Sequence, residues 1–166
     1  MTLSRLKSTG LLLSALSVLY WSWHVGPRSP QTKIEEAVAG ISLLAAAFAS
    51  FTRSRPGALR GGLAVASITF GVIAVDQYVT GGHDLLGTIA FALIFLGLGW
   101  SAWSTRTHFG QAIGFGLAAA GTSIWIGYDY SAGVMTFQPG NVIGTLGLAL
   151  SAWGSARSSE GRTLIA

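Results

Sequence analysis

Six apolar stretches, separated by short polar gaps, organise the chain: Leu6–Val25, Ile34–Phe51, Gly61–Val79, Leu85–Trp103, Phe109–Tyr128 and Gly140–Ala156. Each runs roughly 17–20 residues, close to what an α-helix needs to cross a hydrocarbon core about 30 Å thick. The pattern predicts an all-α fold, an integral membrane six-helix bundle. The second and sixth stretches are short and rich in Ala, Gly and Ser, which makes them the weakest of the six spans. The first follows Arg5 and Lys7, and no small-x-small cleavage site precedes Pro27, so it reads as a retained signal-anchor helix.

The gaps alternate in charge. The N-terminal tail, the gap after the second stretch, the gap after the fourth and the C-terminal tail hold Arg5, Lys7, Arg53, Arg55, Arg60, Arg106, Arg157 and Arg162, eight of the ten basic residues. The other gaps hold only Arg28 and Lys33, but they and their helix ends hold Glu35, Glu36, Asp76, Asp84 and Asp129, five of the six acids. Basic residues favour the cytoplasmic side, so both termini are expected in the cytoplasm, facing away from an acidic outer surface. Glu35, Glu36, Asp84 and Asn141 read as acceptors at the starts of the even helices, where free N–H groups and the positive dipole end favour them.

A repeat runs through the same pattern. Gly99–Arg106 (GWSAWSTR) closes the fourth stretch, Leu150–Arg157 (LSAWGSAR) the sixth and, more loosely, Phe48–Arg55 (FASFTRSR) the second. The arginines Arg53, Arg106 and Arg157 are spaced 53 and 51 residues apart. A fixed period implies one copied unit, here a helical hairpin, at about 6–55, 58–106 and 109–157 of a single transmembrane domain. Gly87–Trp100 (GTIAFALIFLGLGW) and the glycines Gly110, Gly114, Gly116 and Gly121 carry a resemblance to the HdeD-type acid-resistance membrane proteins, built from short two-helix repeats. The resemblance implies three tandem hairpins and a place in envelope stress. It implies no catalytic residue, because that family has no catalytic motif.

Composition narrows the function classes. Only 10% of residues are charged, against roughly 25% in soluble domains. The basic residues are scattered over loops and tails and form no stripe, so nucleic acid is not a partner. With no cysteine there are no disulfides, thiolate metal sites or cysteine nucleophiles. Gly97-Leu98-Gly99-Trp100-Ser101-Ala102 and Gly114-Phe115-Gly116-Leu117-Ala118-Ala119 fit G-x-G-x-x-A, but both lie inside apolar helices, where the motif means close packing. Gly110 with Gly114 and Gly140 with Gly144 match the small-xxx-small signature of helix contacts.

Ionisable residues at membrane depth are candidates for function. Asp76 and Asp129 lie near the outer ends of odd helices, flanked by Tyr78, Tyr128 and Tyr130, and His24 holds the matching place in the first hairpin. With His83 and Asp84 they form a candidate polar site on the outer face. Their spacing is not that of a metal site, since no histidine pair stands at i,i+4 and His108 belongs to the other side. No signature of catalysis or of a cofactor is present, so the expectation is a non-enzymatic protein of a bacterial inner membrane. Its partners are the lipid bilayer and, through its glycine faces, other membrane subunits or further copies of itself. It serves as an accessory or envelope-stress protein; the alternative is a small carrier or pore for a proton, a cation or a small solute.

Overall fold

Three of the four prolines open a helix, at the first-turn position where a missing N–H costs nothing. The computed structural model describes residues 3–24, 30–52, 56–80, 84–131 and 139–163, with the side chains of residues 3, 4, 24, 129 and 159–163 outside that set. These residues form α1 (Leu3–His24), α2 (Pro30–Thr52), α3 (Pro56–Thr80), α4 (Leu85–Trp103), α5 (His108–Ser131) and α6 (Pro139–Thr163). All six expected helices are present. Most run past the apolar stretches because backbone bonding, not hydropathy, decides where a helix ends. Thus α2 starts at Pro30 rather than Ile34, and α6 continues through Arg157 to Thr163.

Among the described residues each helix packs only on its neighbours in sequence, and α1 closes on α6. The result is a ring of six helices in sequence order. Neighbours run antiparallel: Ser8 near the start of α1 meets Ser50 near the end of α2, and Ser17 of α1 meets Gly140 at the start of α6. The starts of α1, α3 and α5 and the ends of α2, α4 and α6 therefore share one end of the ring, the basal end. The opposite end is distal. Of the described basic residues, Arg5, Lys7, Arg60, Arg106 and Arg157 lie basally and Lys33 lies distally, at the same end as Asp76 and Asp84.

The ring turns small residues inward and large apolar ones outward. Ala39, Ala46, Ala66, Ala90 and Ala118 are fully buried, while Phe48, Ile68, Val75, Leu96 and Leu146 are more than half exposed. So large an apolar outer surface needs lipid around it. Four helices, α2, α3, α4 and α5 as far as Tyr128, are long and apolar enough to cross a membrane. The second span is thus stronger than its composition implies. Among the described residues α1 joins α6 as the less apolar pair. Their polar side chains account for this: Ser14 donates to the Gly144 carbonyl (3.0 Å), Ser17 to that of Gly140, and Ser151 to that of Lys7 (3.1 Å). These hydroxyls are spent on the α1–α6 seam and not exposed to lipid.

Two glycine pairs set how closely the backbones approach. A Cβ on Gly147 would stand 2.5 Å from the Gly10 carbonyl oxygen, and a Cβ on Gly10 would meet the Gly147 carbonyl. Gly97 and Gly114 oppose each other in the same reciprocal way between α4 and α5, each Cβ falling 2.5 Å from the other's carbonyl oxygen. Nothing larger than glycine fits at either crossing. The first glycine of each G-x-G-x-x-A segment thus serves helix packing, whereas a Cβ on Gly116 would meet nothing within 4 Å.

Candidate functional site: a cavity inside the helix ring

The interior of the ring changes character along its axis. At the basal end Lys7 of α1 donates to the Gln111 side chain of α5 (3.2 Å), bridging two helices that are not neighbours and crossing the lumen. Ser8 donates to Ser50 (2.8 Å), and Ser101 to the Gln111 carbonyl (3.3 Å). Gln111 is only 1% exposed. Its amide nitrogen and the Ser155 hydroxyl find no partner among the described residues. Further in, Leu11, Leu43, Leu63, Leu98 and Phe115 are almost wholly buried and belong to one continuous apolar cluster. The basal half is filled.

The distal half is not. A cavity of about 80 Å³ lies inside the ring, and all six helices contribute to its wall. Leu43, Leu98 and Leu148 line its basal part. Phe70, Phe91 and Trp125 form an aromatic side, with Phe70 and Phe91 centroids 6.3 Å apart and Phe91 and Trp125 centroids 4.7 Å apart. Trp125 seats against Gly87, where a Cβ would come within 3.0 Å of its ring. The polar lining comes from Ser14, Ser17, Thr122, Asn141 and Glu36, with the indole of Trp21 beside them.

Glu36 is the unexpected member. The sequence reading places it at the start of α2 as an acceptor for free N–H groups. Because the helix begins at Pro30, no acid lies in its first turn, and Glu36 is its seventh residue. At 1.5 Å per residue it sits about 9 Å inside the helix end. It is 8% exposed and lines the cavity. The sequence does carry the signal: Glu36, Ala39, Gly40, Leu43, Ala46, Ala47 and Ser50 recur at helical spacing and are all buried. Glu36 shares that small-residue face, and Glu35 is one step off it. Asn141, also read as a helix start, is another cavity residue.

The outer-face candidates are distributed differently. Asp84 caps α4, accepting from the Leu86 and Gly87 amides at 3.2 Å each and from Gln77 of α3 at 3.3 Å. Burial alone raises its carboxyl, but bonds from the Gly87 amide, Tyr128, Gln77 and the Leu86 amide outweigh that and hold it below the ordinary carboxylate value. Asp84 thus ties α3, α4 and α5 together distally. Asp76 does not line the cavity; it lies half-buried in a groove on the α3–α4 flank, with Gln31, Tyr78 and Phe95. His24 and Asp129 lie in α1 and α5, but their side chains are outside the described set, as is the whole of His83. Among the described residues no three metal-ligating side chains come together.

The four glycines singled out for packing all lie at contacts. A Cβ on Gly114 would strike Ser101, and one on Gly110 would stand 2.6 Å from Ser104. One on Gly144 would stand 2.6 Å from Ser17, and one on Gly140 3.1 Å from Tyr20. No family model, curated protein or solved structure matches the chain.

Proposed function

We propose that the protein is a small membrane carrier or pore whose site is the cavity inside the ring, with Glu36 as its working acid. One observation carries the reading: a carboxylic side chain, 8% exposed, lines a space to which every helix contributes. An acid placed there is expensive for folding, which is why ionisable groups at membrane depth mark pathways for ions and protons. The filled basal half supports a gated path, closed at one end and accessible from the other. The reading keeps an acidic, aromatic entry but moves the working acid inward from Asp76 and Asp129 to Glu36.

The basic basal residues support an orientation with both termini in the cytoplasm and the cavity towards the outside. The size of the chain and its lack of cysteine suit a bacterial inner membrane. The rival reading is an accessory or envelope-stress protein that only occupies the membrane, in keeping with the HdeD-like layout. Flux measurements separate the two. Purified protein in liposomes is expected to conduct protons or small solutes, Glu36→Gln to abolish that flux, and Asp76→Asn to leave it. An inert native protein, or a fully active Glu36→Gln, overturns the carrier reading in favour of the accessory one.

A further inference from the structure

The cavity also restricts what it accepts. We infer that its ligand is a compact organic cation of the ammonium class, no larger than a methylated ammonium ion. The inference rests on the carrier reading for its biological use, but not for its chemistry.

Charge is the first argument. Among the described residues Glu36 is the only ionisable side chain in the wall and it is an acid, so the wall can offer negative charge but no positive charge and favours a cation over an anion. Hydrogen-bonding direction is the second. Ser14 and Ser17 give their protons to the Gly144 and Gly140 carbonyls, and Thr122 gives its proton to the Ala119 carbonyl (2.9 Å) while already accepting from Thr145 (3.0 Å). A hydroxyl whose proton is committed offers a neighbour only lone pairs. The wall hydroxyls therefore accept, and a ligand that donates N–H bonds meets them.

The aromatic side is the third. Phe70, Phe91 and Trp125 form a continuous run of rings across α3, α4 and α5, and Trp21 adds another indole from α1. Ring faces attract ammonium groups, the more so where water is excluded. A carboxylate together with aromatic walls suits an organic cation better than a bare metal ion, which needs several oxygen ligands. Size is the fourth. The cavity is about 80 Å³, roughly half the ~150 Å³ that accommodates benzene in an apolar protein cavity. Methylammonium fits that limit and tetraethylammonium does not.

The test uses the full chain in lipid nanodiscs, with methylammonium chloride as the probe and tryptophan fluorescence and calorimetry as readouts. Saturable binding is expected, with no response to urea or tetraethylammonium. Glu36→Gln is expected to weaken it about ten- to a hundredfold, the loss of one hydrogen bond to a charged group. Leu148→Phe, which fills the cavity without touching any charge, is expected to block binding while leaving the helical circular dichroism unchanged. This keeps the test decisive even if Glu36→Gln folds poorly. Urea binding as well as methylammonium, or binding unaffected by Leu148→Phe, overturns the inference. Uptake of radiolabelled methylammonium into liposomes separates it from the carrier reading. Binding without uptake refutes the carrier and leaves the ligand class standing; uptake of urea without methylammonium binding does the reverse.

Discussion

The basal and distal halves of the ring use polar residues in opposite ways. Basally, Lys7, Ser8, Ser50, Ser101 and Gln111 bond to one another across helices and close the lumen. Distally, Glu36 and Asn141 border a space. Polarity inside a membrane protein is therefore not by itself a sign of function. What distinguishes the two halves is whether the polar groups fill the interior or face a gap in it. The strongest test of this contrast is to disturb the seam on which both halves depend. Gly147→Leu places a branched side chain where a Cβ already falls 2.5 Å from the Gly10 carbonyl oxygen. The α1–α6 contact must open, and the loss is expected at or above the ~3 kcal/mol upper range of overpacking. Thermal unfolding in detergent, followed by circular dichroism, measures it. A melting temperature close to the native one would mean that the ring does not depend on this closure.

Enlarging one leucine in each half compares them directly. Leu63 is fully buried in the filled half, so Leu63→Phe is expected to destabilise by about 1–3 kcal/mol. Leu148→Phe grows into the cavity and is expected to change stability by less than about 1 kcal/mol, because space is already there. Equal losses at the two sites would show that the distal half is as tightly filled as the basal half.

Much of this arrangement was legible in the residues, but not all. Hydropathy located all six helices, and the alternating charge located the two ends. Ring closure was not legible, since apolar periodicity says which face of a helix is covered and not by which neighbour. Glu36 was missed because a run of apolar residues marks where lipid begins, not where a helix begins. Once Pro30 is taken as the helix start, the same letters place Glu36 in register with Gly40 and Leu43. Asp76 stands out in the sequence as an acid at a helix end, but that position says nothing of its azimuth, and it faces the flank. Asp84 is legible as a cap, because capping is a local property of the chain.

That cap gives a smaller, distal effect. Asp84→Ala is expected to cost about 1 kcal/mol, the usual loss of an N-cap acceptor. The pH dependence has a definite sign. A carboxyl held down in the folded state contributes stability that is complete above its ordinary pKa and is lost as pH falls through the lowered one. The native protein should therefore lose stability across that acidic interval. Asp84→Asn, which keeps an acceptor but cannot titrate, should lose less over the same range. Parallel melting curves for the two proteins across that interval would exclude Asp84 as a source of the acid sensitivity.

The smallest effects belong to the basal rim, where the repeated Ser-Ala-Trp segments place Trp103 and Trp153. Each tryptophan carries an arginine over its ring, Arg60 at 5.5 Å from Trp103 and Arg157 at 5.1 Å from Trp153. The likeness of the segments hides a difference in origin. Arg157 lies four residues after Trp153 in α6, so that pair is made within one helix and steadies only its own last turns. Arg60 belongs to α3 and reaches Trp103 at the end of α4, so that pair joins two helices. Exposed contacts of this kind contribute about 0.5–1 kcal/mol. Double-mutant cycles pairing Arg60→Ala with Trp103→Leu, and Arg157→Ala with Trp153→Leu, should give coupling energies of that size for both pairs. Only the first should appear in global unfolding, because only it is broken when α3 and α4 separate. The second should appear as faster amide exchange near the end of α6 with the melting temperature unchanged. If both cycles move global unfolding equally, the end of α6 is part of the ring's cooperative core and not a loose extension of it.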